Sequence, residues 1–322
     1  MGSKIVDYQH GFRPRRGVHT NMAEFNQYLS EQLGKGAQVD VVYTDFQKTF
    51  DKVNHVRLLR KLKTLGFSSE TIDFFQSYLT GRRQYVLYGG MKSHVFQCPS
   101  GVGQGSDLGP LLFSLFINDI GDPVERSKLL LYADDLKMYR TIECVTDCEG
   151  LQDDLNKLVE WSEKNRLPLN VDKCETITYT RKTINVIEYT YRVKDVQLEK
   201  RGWVKDLGIK MDEGITYKLQ TSEVRSKAKR LMGFLIRNPR NFKNVDTFLT
   251  LYFTLVRSNL EYGALIWNPI AATVSNKIEA IQKRFLRFLY NKIFGYYPND
   301  IQYEELLEGF GMLSLSKRRT IT

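Results

Sequence analysis

The stretch LLLYADDLKMY, residues 129–139, constrains the fold more than any other part of the chain. Two apolar runs of strand length meet at adjacent acids, Asp134 and Asp135, where a tight hairpin ordinarily carries Asn-Gly or Gly-Gly. Such a ribbon must find a sheet that buries both runs while leaving two like charges at its tip in water or beside a counter-charge. A second segment, QVDVVYTDF (38–46), is β-branched and aromatic enough to be a central strand covered on both faces, and it finishes on Asp45. Three carboxylates at the ends of two strands repel one another unless a divalent cation takes them as ligands. Mg²⁺ takes oxygen ligands and is commonly held by one or two carboxylates plus substrate phosphates. An isolated Asp-Asp turn is ordinarily structural, because Asp bonds nearby backbone N–H groups. Only the surrounding pattern separates the two readings.

That pattern alternates strand and helix. A helix is predicted from about 21 to 33, stopped by Gly34. VRLLRKLKTLGF sets Leu58, Leu59, Leu62 and Leu65 on one stripe, and SSETIDFFQSYLTG starts at a serine cap with Ile72, Phe75 and Leu79 inside. Tyr85–Tyr88 and Val95–Cys98 read as a hairpin around GGMKS. The glycine-rich PSGVGQGSDLG follows, then a helix with Pro110 at its first position, where a missing N–H costs nothing. An acid-capped amphipathic helix buries Leu151, Leu155, Leu158 and Trp161, and LPLNVDKCETITYT returns to strand. After about 215 only helices are predicted, which sets a domain boundary near 214, and the tail after 312 is expected to fray.

With 47 Lys and Arg against 37 Asp and Glu, the net charge of +10 favours polyanionic partners. Cys98, Cys144, Cys148 and Cys174 lack paired CxxC spacing and read as reduced thiols. No apolar run is long enough to span a bilayer, and the first residues lack the apolar core of a signal peptide and the myristoylation pattern. An intracellular protein, nuclear or in a cytoplasmic ribonucleoprotein, is expected, with no membrane partner.

TDFQKTFDKVNH, GVGQGSDLGPLLFSLFINDI and YADD, with QHGFR upstream and NVDKCE and LGI downstream, resemble the ordered motifs of reverse transcriptases. The series is most similar to that of non-LTR, LINE-type retrotransposons of the jockey kind, from about residue 8 to 310, and LVRSNLEYGALIWNP resembles their thumb. The resemblance implies an α+β right-hand polymerase: residual fingers over 1–37, a palm with inserted helices and hairpin over 38–214, and a helical thumb with tail over 215–322. It also implies two Mg²⁺ ions, with Mn²⁺ as a substitute, and an RNA template, a DNA primer and deoxynucleotides as partners. No oligomeric state follows from it.

By the same resemblance Asp45, Asp134 and Asp135 are the catalytic and metal-binding acids, and the carbonyl of Phe46 could complete a metal shell. Tyr132 would sit near the primer end, or serve only as a strand tyrosine. Phe50 would lie under the sugar of the incoming nucleotide and exclude a 2′-hydroxyl, or merely open a helix; a smaller side chain there should admit ribonucleotides. Gln104 and Gly105 would approach template and base, glycine allowing close backbone approach, although Gly103 stands where the family often has proline. Arg13 matches a fingers position near template and triphosphate, suited to phosphate oxygens, or is simply a solvated base. Lys173 would protonate departing pyrophosphate as a general acid, or is an exposed lysine. DLGI (206–209) resembles the primer-grip region. Lys277, Lys283, Arg284 and Arg287 would track a duplex backbone, or form a solvated face. The family's polymerase starts well before QHGFR, so much of the fingers is expected to be missing. Two readings follow: an active RNA-directed DNA polymerase core, or a catalytically inactive remnant that only binds nucleic acid.

Overall fold

Every residue of QVDVVYT except Tyr43 is buried. That pattern fits a strand with both faces covered, and the computed structural model sets this strand, β1 (Gln38–Thr44), in the middle of a five-stranded sheet. Residues 4–238, 244–269, 271–297 and 301–321 are described. They form two compact units, Met1–Trp203 and Val204–Thr322.

In the first unit α1 (Val18–Gly34) precedes β1, and α2 (Thr49–Lys52), α3 (His55–Thr64) and α4 (Ser69–Leu79) follow it. Asn54 caps α3 by accepting from the Arg57 N–H at 3.0 Å, and Ser68 caps α4 by accepting from Thr71. Four two-residue strands come next, β2 (Arg83–Gln84), β3 (Leu87–Tyr88), β4 (Met91–Lys92) and β5 (Phe96–Gln97). They make two short ladders, β2 with β5 and β3 with β4, rather than the continuous hairpin expected. Between them the Ser93 hydroxyl takes the Val86 N–H at 2.8 Å, so a side chain substitutes for a ladder bond.

The helix α5 (Leu108–Phe116) starts at an Asp107 cap, which makes Pro110 its third residue and not its first. The missing N–H still falls within the first turn, where no intrahelical partner exists. The acidic hairpin is β6 (Lys128–Tyr132) and β7 (Asp135–Ile142), followed by α6 (Val145–Asn165) and β8 (Glu175–Tyr179). The strands β9 (Arg192–Val193) and β10 (Val196–Gln197) pair with each other, and β11 (Glu199–Lys200) adds to the main sheet, whose order is β11-β8-β1-β7-β6. All its pairs are antiparallel except β11 with β8. The fold is α+β.

Helices cover both faces of that sheet. On one, Phe25 of α1 meets the edges of Tyr139 and Tyr179 at 5.1 and 5.9 Å. On the other, Val42 and Met138 join Leu58, Leu112, Phe113 and Leu155 in one apolar core. The predicted stripe of α6 is buried throughout. All four cysteines are free.

The second unit begins in the hairpin of β12 (Trp203–Asp206) and β13 (Ile209–Asp212), ahead of the boundary expected near 214, because β13 packs along α7 (Lys218–Arg237). Then come α8 (Val245–Leu251), a π-helical stretch Tyr252–Arg257, α9 (Ser258–Glu261), α10 (Ala264–Trp267), α11 (Ala272–Phe294), α12 (Tyr303–Gly309) and α13 (Leu315–Ile321). The described part of the tail, through Ile321, is helical and anchored. Glu279 of α11 accepts the Leu315 and Ser316 N–H groups at 2.9 and 3.1 Å, and Leu315 is fully buried. Among the described residues no helix is long and apolar enough to cross a membrane.

Candidate active site

The pairing Tyr132↔Asp135 closes the acidic hairpin on a two-residue turn, Ala133-Asp134. Ala133 takes φ +58°, the left-handed region where glycine is at home. For an L-residue that conformation costs about 1–2 kcal/mol. The buried side chain of Gln9 holds it: Oε1 accepts the Ala133 N–H at 3.0 Å and the Gly11 N–H at 2.8 Å, and Nε2 donates to the Ala133 carbonyl at 3.1 Å. Two of these bonds end on Ala133, and at about 1 kcal/mol net for each hydrogen bond they offset the strain. Residues 8–10 run beside β6, with Leu131 N–H donating to the Tyr8 carbonyl and His10 N–H to the Leu131 carbonyl, both at 2.8 Å. The Asn21 amide of α1 adds a bond to that same Leu131 carbonyl at 3.0 Å.

The turn's acid is oriented from the opposite side. Thr49, at the start of α2, donates its hydroxyl to Asp134 Oδ2 at 2.5 Å. Asp45 follows the last residue of β1, whose Thr44 pairs with Leu136 of β7. Thr44 with Leu136 is the last pair of that ladder, so Asp45 and Asp135 each lie one residue beyond it, and Asp134 sits in the adjoining turn. The strand register therefore brings the three predicted acids to one end of two adjacent strands. The Asp45 carboxylate accepts from the Asn170 amide at 3.2 Å and faces the Lys173 ammonium at 3.4 Å, while its carbonyl takes the Asn170 N–H at 2.7 Å. Phe46 is buried and forms an isolated bridge with Leu169.

Three carboxylates with exposed or half-exposed side chains form a donor set of the oxygen type that Mg²⁺ or Mn²⁺ takes. The expected cage is not drawn together, however: among the described residues no three acidic, histidine or cysteine side chains are grouped closely enough to hold a metal ion. Asp134 and Asp45 are turned toward separate local donors, Thr49 for one, Asn170 and Lys173 for the other.

Phe50 stacks on Phe113 at 4.7 Å and 26°, with Phe12 edge-on at 6.3 Å, so its ring is half-buried and braced. The glycine-rich loop docks on the same turn. Gly101 N–H donates to the Val53 carbonyl and Val102 N–H to that of Phe50, both at 2.8 Å. A Cβ on Gly101, whose φ is +88°, would meet the Asp51 carbonyl at 2.8 Å. Gln104 is exposed and donates to Asp51 at 3.1 Å, next to Gly105 at φ +79°. Tyr132 is half-buried opposite Asp135. Arg13 is turned inward and donates to the Val6 and Gln9 carbonyls at 2.6 and 3.3 Å, bracing the segment that carries Gln9. Gln9, Gly11, Thr49, Asp51 and Asn170 all lie inside or beside the quoted motifs. Small polar residues flanking the acids were the available signal; their partners, far away in sequence, were not.

Within the second unit two other motif segments meet. Leu207 and Gly208 form the β12–β13 turn with φ +43° and +87°, and the Tyr262 hydroxyl donates to the Leu207 carbonyl at 2.7 Å. Arg225 and Lys229 of α7 line a cavity of about 360 Å³ with Lys277 and Arg284 of α11.

Residues 1–219 match the family model described as reverse transcriptase (RNA-dependent DNA polymerase). The chain is 29% identical over 294 residues to an RNA-directed DNA polymerase from the mobile element jockey of Drosophila funebris. It is 28% identical over 296 residues to a probable RNA-directed DNA polymerase from transposon BS of Drosophila melanogaster. Each match covers 88% of this chain but only 32% of the relative's length. Among solved structures, apo telomerase from Candida tropicalis is similar over 86% of this chain and 46% of that one, at 14% identity and a TM-score of 0.49.

Proposed function

Because the chain belongs to the reverse transcriptase (RNA-dependent DNA polymerase) family, we propose that it is the core of an RNA-directed DNA polymerase of a jockey-like non-LTR element, extending a primer 3′-hydroxyl with deoxynucleotides on an RNA template. The observation that supports this reading is the end of the β1–β7 ladder, where the last pair, Thr44 with Leu136, directly precedes Asp45 on one strand and directly follows Asp135 on the other. These three carboxylates, with the Phe46 carbonyl, would hold the divalent cations. The chemistry such a cation would supply is activation of the attacking hydroxyl and compensation of charge on the leaving pyrophosphate.

The chain's own groups do the rest. Lys173, an exposed ammonium beside Asp45, delivers a proton to the pyrophosphate. The Phe50 ring, held flat by Phe113, forms the wall beneath the nucleotide sugar and leaves no room for a 2′-hydroxyl. Gln104 and Gly105 face the template and the pairing base, with Tyr132 toward the primer end. Arg13 braces the segment that carries Gln9 and would turn its remaining N–H groups toward template and triphosphate. In the second unit, acting as thumb, Arg225, Lys229, Lys277 and Arg284 track the duplex backbone by charge. The work is intracellular, in the nucleus or a cytoplasmic ribonucleoprotein.

A second reading, an inactive remnant that only binds nucleic acid, draws on the separate engagement of Asp45 and Asp134 by Lys173 and Thr49. Primer extension on an RNA template with purified protein and Mg²⁺, beside Asp134→Ala, decides between them. Extension by the parent protein and none by the variant supports the polymerase. No extension by either, together with salt-sensitive RNA binding, leaves the remnant.

A further inference from the structure

The short ladders β2–β5 and β3–β4 form a ribbon that buries almost none of its apolar side chains. Tyr88 is 82% exposed, Met91 74%, Tyr85 47% and Phe96 41%, and Val86, Leu87 and Val95 are exposed as well. Water is a poor environment for such a cluster, and contiguous exposed apolar surface marks a place where something binds. The charge of the ribbon is equally one-sided. From Gly81 to Cys98 the chain carries Arg82, Arg83, Lys92 and His94 and no acid. Cations and rings are interleaved: the Lys92 ammonium lies 4.8 Å from the centre of the Tyr85 ring, and the His94 and Phe96 rings are 6.3 Å apart. The ladder ends in a Gly89-Gly90 turn with φ +56° and +80°, so the tip next to Tyr88 is narrow and carries no side chain.

We propose that this ribbon is a binding site for single-stranded nucleic acid, in which bases stack on Tyr85, Tyr88 and Phe96 while Arg83 and Lys92 meet the phosphates. The proposal deepens the polymerase reading by naming where an unpaired strand is held, and it rests on that reading only for the source of the strand. Single strands offer what the ribbon lacks, an anionic backbone together with free base faces. Stacking on aromatic side chains is worth about 1–3 kcal/mol per base and tolerates any sequence. A duplex hides its base faces inside the stack and leaves the exposed rings without a partner. A protein partner would have to match these rings with an acidic face, and charged residues are depleted where interfaces bury their aromatic centres.

The test uses the whole chain and a dye-labelled single-stranded RNA of mixed sequence, read by fluorescence anisotropy without deoxynucleotides. Tyr88→Ala should weaken binding about 5- to 150-fold, the equivalent of one lost stacking contact, and Tyr88→Phe should restore it, since the ring alone is required. The loss should persist at high salt. Arg83→Gln with Lys92→Gln should instead flatten the dependence of log affinity on log salt. Circular dichroism and melting temperature should be unchanged, because none of these side chains is buried. Parent-level affinity in Tyr88→Ala, or equal losses for duplex and single strand, overturns the proposal. So does sedimentation that finds a parent dimer dissolved by Tyr88→Ala with RNA binding intact, which would make the ribbon a contact between copies. Repeating the titration in Asp134→Ala separates the two ideas, because a ribbon that binds without catalysis and a catalyst with an idle ribbon give opposite results.

Discussion

Gly11 is the tightest point around the acidic turn. A Cβ built on it meets the Ala133 nitrogen at 2.3 Å, and that nitrogen is already bonded to Gln9. A methyl group cannot enter without pushing residues 8–11 off β6, which would release Ala133 from its left-handed conformation. Gly11→Ala should therefore cost about 1–3 kcal/mol of stability, the usual range for an overpacked site, and raise amide exchange at Ala133 and Asp134. Measured by denaturant melts and hydrogen exchange, unchanged values for both would show that the Gln9 contact does not govern the turn. In QHGFR the charged member is Arg13, and charge is what a motif displays locally. A local reading weighs charge and cannot see that the neutral Gln9 meets a backbone more than a hundred residues away.

At the scale of elements, the entry to α6 carries a pH dependence. Asp147 accepts the Glu143 and Cys144 N–H groups at 3.0 and 3.2 Å and binds Arg140 at 2.6 Å. The Arg140 hydrogen bond, helped by the backbone donors, holds its carboxyl down at about 2. A carboxyl lowered on folding stabilises the native state above its ordinary pKa near 3.8, and that contribution is lost as pH falls toward 2. Asp147→Asn should lower the melting temperature at neutral pH and make stability less sensitive to acid between about pH 4 and 2. Parallel stability–pH curves for the two proteins would count against the role. The buried stripe of this element was legible in advance, since it is local and periodic, but the helix begins at Val145 with Cys144 as its cap, and Asp147 lies in the first turn instead of capping it. The central strand was legible for the same reason: β-branched and aromatic residues run unbroken up to an acid. The hairpin over 85–98 was legible as well, but its exposure, the helical tail and the cap of α5 were not. Each depends on a side chain from elsewhere or on a choice between neighbouring starts, as with Asp107 in place of the residue before Pro110.

At the scale of the molecule, each unit has its own interior. In the second, the fully buried Gln282 joins three segments: it accepts from Tyr252 at 3.0 Å and donates to Tyr303 at 3.0 Å and to the Leu313 carbonyl at 2.9 Å. Gln282→Ala strands those partners at a cost of about 2–4 kcal/mol, the desolvation of polar groups left unpaired. Differential scanning calorimetry should show one component shifted down and the other unmoved. A single transition that shifts as a whole would mean that the two units unfold together.

The two margins of the main sheet are finished differently. On the β11 side the outermost strand is two residues long and charged, Glu199 and Lys200, which discourages another chain from adding to it. On the β6 side the apolar KLLLY run is sheathed by residues 8–10. Stripping the N-terminal dozen residues would leave the Leu131 N–H without its partner and uncover the edge of a greasy strand, and such an edge recruits copies of itself. A protein shortened there should leave solution as aggregate rather than persist as a smaller folded body.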